Sequence, residues 1–452
     1  MIDINGLIKH VEENKDWRMD TVTLGNFKYG NYTFHATYFI DCSLGKFQFP
    51  VFVTFPERIR KTDKRMEELW KMACSVQLAN LFIFSKQEEI DLSFLSKRGE
   101  LFIRDMISNS VTHLEDKFPG YFTHKKKEWV EYQQLPASEY KISMNKKFSV
   151  LMSGGKESSG VYQMYYDLGR KPGSSLSGVF VDFVGKIVRR ENNQMIKKLT
   201  ALGHRPIVIA SNIIDPLMLI STEWGCNNLF INIITFPAAI YCLNRGIHYF
   251  NMGNEFDCTV CKIIDGHETF GQNYDQTTVN ERKVSQFLKD IDVDVKLFSP
   301  VYHQVETACQ ALFTWNDTLG LTDAQNSCVE PILKDGEYIA CDKCDKCWRI
   351  ATIMKALNID CEKYGLTYTQ KVWSQKEDIF NSLDSTKESQ TVAYLLDRQG
   401  LFPGEISNIK PKFNFSTLDF EYDKFHPFIL PPEMYKYISD TMKRVRRDLN
   451  VE

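Results

Sequence analysis

The sequence predicts an α/β protein organised around a doubly wound parallel sheet. Three features of the 452-residue chain carry that reading. From Lys147 onward, short apolar runs alternate with helical patterns, as strands covered by helices on both faces require. One run, Phe148 to Met152, ends in a glycine loop that opens a helix, the arrangement of an anion-binding turn. Four cysteines, Cys328, Cys341, Cys344 and Cys347, fall within 20 residues after the last expected strand, and that clustering points to a metal knuckle.

The elements follow in order. Residues 1–145 are expected to form an N-terminal α+β domain. Thr33 to Ile40 and Phe47 to Phe55 read as half-buried strands of a small antiparallel sheet, punctuated by Gly25, Gly30 and Gly45. Met66, Leu69, Met72 and Ala73 recur at helical steps within Glu57 to Phe82. Residues 146–360 carry the sheet. Its strands are 148–152, 177–183, 205–210, 248–252 and 293–298, and its helices 158–168, 190–202, 227–244 and 305–319. Ligands of such sheets sit at the carboxyl ends of the strands, so the loops after Met152, Phe183, Ala210 and Met252 are expected to converge. Residues 361–452 form a mixed extension: a helix within Lys376 to Leu396, strand-like pieces in Leu401 to Phe428, and a basic amphipathic helix over Met434 to Leu449.

Composition narrows the function classes. Lys plus Arg total 55 against 58 Asp plus Glu, a net charge of −3, so no general positive coat exists and nucleic acid is not an expected partner. Hydrophobic residues at 43% and charged residues at 25% exclude global disorder. The first residues show no basic segment followed by an apolar run, so no secretory signal is expected. The most apolar stretch, Leu229 to Leu243, contains Asn232, Thr235 and Pro237 and is shorter than the roughly 20 residues of a membrane span. It reads as a buried helix, and the expected location is cytoplasmic, with no membrane partner. Twelve cysteines are too dilute for a disulfide scaffold. Cys42, Cys74, Cys226, Cys242, Cys309 and Cys361 are scattered and read as small buried hydrophobes.

The glycine loop is Ser153-Gly154-Gly155-Lys156-Glu157-Ser158. Adjacent glycines let backbone N–H groups approach an anion, and the helix N-terminus adds attraction. Ser153 and Ser158 can donate hydroxyl hydrogen bonds. Lys156 can supply a point charge to phosphates or point into solvent. The spacing matches neither the Walker loop nor G-x-G-x-x-G. In the cysteine segment, Cys328-x12-Cys341-x2-Cys344-x2-Cys347, four thiolates suit tetrahedral Zn²⁺ and leave no open position, so the metal is expected to be structural. An iron–sulfur cluster is the alternative.

The glycine loop resembles the PP-loop S-G-G-x-D-S of ATP pyrophosphatases, with Glu157 in place of the usual aspartate. That loop followed by S-C…C-x-x-C-x-x-C-x-R resembles the 7-cyano-7-deazaguanine synthase family over about Lys147 to Asn358. The loop Met252-Gly253-Asn254-Glu255-Phe256-Asp257 is similar to that family's loop after the fourth strand. The resemblance implies a doubly wound fold of the HUP type, four zinc-binding cysteines, and ATP with Mg²⁺. It implies adenylation of 7-carboxy-7-deazaguanine or a related deazapurine carboxylate, with pyrophosphate released and an amine displacing AMP. It implies that Ser153, Gly154, Gly155, Lys156 and Ser158 bind the nucleotide, helped by Asp182, Gly253 and Asn254. Ser153, Lys156, Glu157, Ser158 and Asp257 are then the catalytic set. The long segments on either side resemble enlarged variants of bacterial antiphage operons, which implies a protein amine as acceptor, bound through the N-terminal domain. A homodimer is left open.

Weaker features are read conservatively. Asp257-Cys258-x2-Cys261 lacks a second pair for a metal site. Asp265, His267 and Glu268 lie in a long loop, Phe256 to Thr278, a length common in lids; His267 reads as a surface residue, with acid–base work as the alternative. Lys125-Lys126-Lys127 reads as a solvated loop, with a nucleic-acid contact as the alternative, Arg189 and Arg190 as surface charges at a helix start, Arg349 as packing beside the knuckle, with a substrate carboxylate as the alternative partner, and Trp17, Trp70 and Trp224 as core or interface anchors. Two other functions stay open: a PP-loop enzyme that modifies tRNA, and a nucleotide-binding scaffold weakened by Glu157.

Overall fold

The computed structural model describes residues 4–14, 16–59, 63–122, 125, 129–186, 189–190, 192–220, 229–255, 262–269, 271–328, 331–366, 386–400 and 430–450. Asp257, Cys258, Cys261, Lys126, Lys127, Trp224, Cys226 and the strand-like pieces of Leu401 to Phe428 lie outside the described residues.

The sheet is built on β4 (Phe148–Leu151), β5 (Leu176–Val184), β7 (Ile207–Ser211), β8 (Tyr249–Asn251) and β11 (Lys296–Phe298). Adjacent strands in the order β7-β5-β4-β8-β11 pair in parallel. The chain starts in the middle at β4, moves outward through β5 and β7, then returns to the other side of β4 as β8. The strand order therefore reverses between β4 and β8, the switch point where open α/β sheets place ligands. The two-residue β6 (Arg189–Arg190) pairs antiparallel with the end of β5.

Both faces of the sheet are covered. β4 is buried along its length and divides its side chains: Leu151 enters one apolar cluster, Phe148 and Val150 the other. The first cluster also holds α6 (Phe230–Arg245) and α7 (Thr278–Asp290). The second holds α4 (Lys156–Asp167), α5 (Asn193–Ala201) and α8 (Glu306–Trp315), with the C-terminal helices α10 (Thr386–Arg398) and α11 (Pro432–Asp448). Helix α9 (Asp345–Ala356) carries a third, small cluster around the cysteines.

The N-terminal strands extend this sheet. β1 (Thr21–Tyr29), β2 (Thr33–Cys42) and β3 (Gly45–Thr54) form an antiparallel meander, and β3 pairs antiparallel with β7 through Val53↔Ser211 and Thr54↔Ala210. Ser211 Oγ donates to the Phe52 carbonyl at 2.6 Å, and the Asn212 side chain accepts from Phe52 N at 2.7 Å. The result is nine strands in one sheet among the described residues. Beyond the meander come α2 (Lys64–Ile83) and α3 (Lys97–Lys117), which share one apolar cluster with α6 and α7 running from Leu7 to Leu297. No break in the core coincides with residue 145.

Helix α3 was not foreseen from the sequence. Its N-cap Ser96 accepts from Gly99 N, and its inward face mixes Phe102, Ile103 and Met106 with buried Asp105, Asn109 and Ser110. Asp105 is satisfied by Lys283 Nζ at 2.7 Å, Tyr274 Oη at 2.6 Å and Tyr132 N at 3.1 Å. The expected solvated lysine run is corrected at Lys125. This side chain is 2% exposed, and its Nζ donates to the carbonyls of Phe82 at 2.6 Å, Ser85 at 2.9 Å and Gln87 at 2.5 Å. It caps the end of α2, where unsatisfied carbonyls attract a cation. The long loop before α7 holds a hairpin, β9 (Lys262–Ile264) with β10 (His267–Thr269). Trp70 is fully buried and donates to the His35 carbonyl at 3.1 Å. Cys42, Cys74, Cys242, Cys309 and Cys361 are buried, as read.

Candidate functional site

A cavity of about 250 Å³ lies at the carboxyl ends of β4, β5 and β8, slightly below the roughly 300–1,000 Å³ usual for small-molecule sites. Its floor combines Ser153 after β4, Glu157 and Ser158 on the first turn of α4, and Gly253, Asn254 and Glu255 after β8. An apolar wall is made by Val181, Phe183, Phe230, Ile231 and Ile234, with the Phe183 and Phe230 rings 5.5 Å apart. Such a wall fits a flat heterocycle, while the floor offers hydroxyls and an open helix end.

The floor is shaped by two glycines. Gly154 adopts φ +79°, left-handed backbone that a side chain disfavours. Gly253 lies so close to α4 that an added Cβ would stand 2.5 Å from Ser158 N. Gly155 is the N-cap of α4 and supplies no side-chain cap. The N–H groups of that first turn have no intrahelical acceptor and point the positive end of the helix at the cavity.

Four expected ligands do not line the cavity: Gly154, Gly155, Lys156 and Asp182. Lys156 is fully buried and does not line the cavity. Its Nζ contacts Glu157 and lies 2.7 Å from Glu306 Oε1. Burial opposes its charge, but Glu157, Glu306 and Glu255 outweigh that and hold its pKa well above the usual lysine range. Arg349 Nε in turn lies 2.8 Å from Glu306 Oε2. Asp182 is buried beneath the wall and accepts from Asn192 N at 3.1 Å and Asn192 Nδ2 at 2.9 Å. It is Asn192 that reaches the cavity. Gly154 faces a small adjoining recess shared with Asn326 and Tyr338. Among the described residues, the loop after β7 does not line the cavity; Ser211 and Asn212 are engaged with β3.

Behind the floor, Asn254 Nδ2 donates to Glu281 Oε1 at 2.8 Å, and Ser299 Oγ donates to the Asn254 carbonyl at 2.7 Å. Burial pushes the Glu281 carboxyl up to about 8. Asp275, which accepts from Ile231 N at 2.6 Å at the start of α6, is likewise pushed up to about 8 by burial. Carboxylate oxygens of Glu157, Glu255 and Glu306 all lie within 4.8 Å of one another.

The four predicted cysteines converge. Cys328 Sγ lies 3.8 Å from Cys344 Sγ, Cys341 3.9 Å from Cys347, and Cys344 3.5 Å from Cys347. A tetrahedron with Zn–S of about 2.3 Å needs sulfurs about 3.8 Å apart, so the set could hold a metal ion such as zinc. These distances are far beyond a disulfide's roughly 2.05 Å. Burial, then the neighbouring Cys328 and Cys344 sulfurs, push the Cys347 thiol up, and a bound cation would relieve that crowding. The cluster is joined to the glycine loop: Asn326 N donates to the Gly154 carbonyl at 2.8 Å, and Asn326 Oδ1 accepts from Cys328 N at 3.2 Å.

His267 does not join this site. It stacks on Trp129 at 3.9 Å and 16° and lines a second cavity of about 410 Å³ against α3, together with Asp265 and Lys125. Sequence reasoning missed Asn192, Gln276 and Lys346 among the residues lining the first cavity. Lys346 had a signal, since it stands between two of the clustered cysteines. No protein-family model matches the chain, and a search of curated proteins found no match. No helix among the described residues is long and apolar enough to cross a membrane.

Proposed function

We propose that the chain is an ATP-dependent ligase that adenylates a carboxylate, 7-carboxy-7-deazaguanine or a related deazapurine acid, and passes the acyl group to an amine. The observation that carries this reading is the uncapped N-terminus of α4 at the β4/β8 switch point, beside an apolar slot and joined to a four-cysteine cluster. A substrate carboxylate oxygen attacks the α phosphorus of ATP. The new O–P bond forms as the bond to the β-phosphate oxygen breaks, and pyrophosphate leaves with the electron pair. An amine then attacks the acyl carbon, the C–O bond to AMP breaks, and the amine proton goes to solvent.

The chain's part is positioning and charge stabilisation. Ser153, Ser158 and the first-turn N–H groups of α4 hold phosphate oxygens. Asn192, fixed by Asp182, and Asn254, fixed by Glu281 and Ser299, orient polar edges of the substrates, and Phe183, Phe230 and Ile234 flank a planar ring. Mg²⁺, when bound, would sit with Glu157 and Glu255 and neutralise charge on the phosphates. Zn²⁺ would sit on Cys328, Cys341, Cys344 and Cys347 as a structural ion. The replacement of aspartate by Glu157 keeps the charge and adds one methylene. The N-terminal strands and α3 would recognise a protein acceptor.

The test is pyrophosphate release from ATP on addition of 7-carboxy-7-deazaguanine. Release without tRNA supports the ligase. Release only with tRNA, or ATP binding without release, overturns it in favour of a tRNA-modifying enzyme or a scaffold. Mass spectrometry of the products then separates a free amide or nitrile from a conjugated protein.

A further inference from the structure

We propose that the cysteine knuckle is part of the phosphate site and that Lys346, not Lys156, is the side-chain cation that meets the phosphate chain of the nucleotide. This rests on the nucleotide reading above and names a binding residue within it.

A polyphosphate must be met by positive charge, yet the cavity floor presents the carboxylates of Glu157 and Glu255. The lysine of the glycine loop cannot serve. Lys156 is fully buried and committed to Glu157 and Glu306, and freeing it would strip Glu157 of this partner and leave the buried Glu306 to Arg349 alone. Among the described residues lining the cavity, Lys346 is the sole basic side chain. It lies between Cys344 and Cys347 on the first turn of α9 and is half-buried. Among the described residues its ammonium makes no ion pair or hydrogen bond. Its charge is felt at the site: burial works against the Glu306 carboxylate, and Lys156, Arg349 and Lys346, in that order, hold its pKa below the usual range.

The knuckle also fixes where this lysine stands. Cys344 and Cys347 flank it, Asn326 ties the segment leading into Cys328 to the Gly154 carbonyl, and Arg349 one turn on is clamped by Glu306. The cysteine cluster thus holds a cation over the glycine loop that the loop itself withholds.

The experiment is titration calorimetry of the full chain with ATP and with inorganic pyrophosphate, alongside metal content by elemental analysis. Lys346→Ala is expected to weaken both ligands about tenfold or more, the effect of losing about 1.4 kcal/mol, with unchanged metal content and a shallower dependence of affinity on salt. Lys346→Arg is expected to recover most of the affinity. Lys343→Ala, at an exposed lysine of the same knuckle outside the cavity, is expected to bind as wild type. Wild-type affinity in Lys346→Ala overturns the assignment while leaving the nucleotide reading intact. Equal weakening by Lys343→Ala, or metal loss in Lys346→Ala without rescue by arginine, also overturns it. A wild-type chain that binds neither ligand overturns both.

Discussion

Replacing Lys156 by methionine separates a phosphate ligand from a buried structural cation. Lys156 Nζ and Glu306 Oε1 are 2.7 Å apart with side chains 0% and 4% exposed. At that distance the pair's attraction is about 6 kcal/mol at an effective dielectric of about 20, most of it offsetting desolvation. Removing one partner of such a pair costs about 3–5 kcal/mol, because the remaining charge is stranded. Arg349 still holds the other Glu306 oxygen at 2.8 Å, so the low end, about 3 kcal/mol, is expected. Adding Glu306→Gln removes the stranded charge, and the double variant should regain about 1–3 kcal/mol relative to additivity. Urea unfolding followed by tryptophan fluorescence, at constant zinc, reads all four corners of the cycle. A Lys156→Met protein as stable as wild type but unable to bind ATP would refute the reasoning, since it would place the ammonium on the nucleotide.

Cys344→Ser should reduce bound zinc from about one equivalent per chain and lower the melting temperature, checked by elemental analysis and calorimetry. Gly253→Ala would put a Cβ 2.5 Å from Ser158 N and 2.7 Å from Glu157 Cβ, so it should displace the glycine loop and weaken pyrophosphate binding about tenfold or more while circular dichroism is unchanged. Glu281 and Asp275 are each raised to about 8 by burial. The folded state then holds protons that the unfolded state releases above its ordinary carboxyl range. Stability from these groups is complete below about pH 4 and is lost as pH rises to about 8, at up to about 1.4 kcal/mol per pH unit for each. Glu281→Gln should flatten that part of the profile measured by urea unfolding; an unchanged slope would show that the group is ionised in the fold.

The parallel half was legible because each strand and its covering helix are neighbours in sequence, so apolar runs and punctuation report directly on βα units. The glycine loop and the cysteine knuckle were legible for the same reason. The pairing of Thr54 with Ala210 joins segments remote in sequence, and no local pattern encodes it. Helix α3 escaped because Asp105, Asn109 and Ser110 interrupt its apolar stripe, their burial compensated by partners on distant segments. Lys156 reads as a phosphate ligand until Glu306, 150 residues away, is placed beside it. Two turns were readable and went unread: Asp265-Gly266 and Asp335-Gly336 both have positive φ at each residue, the signature of tight hairpins.

The splice between β3 and β7 makes the glycine-loop half a poor candidate for excision. Cutting the chain at residue 145 would strip β7 of its neighbour and leave a bare row of backbone donors and acceptors, an invitation to intermolecular pairing. The same cut would unroof α6, whose Ile233, Phe236 and Ile240 are fully buried, and turn part of the interior into a sticky exterior. The meander, α2 and α3 roof half of the hydrophobic core, so removing them would require rebuilding that side of the molecule.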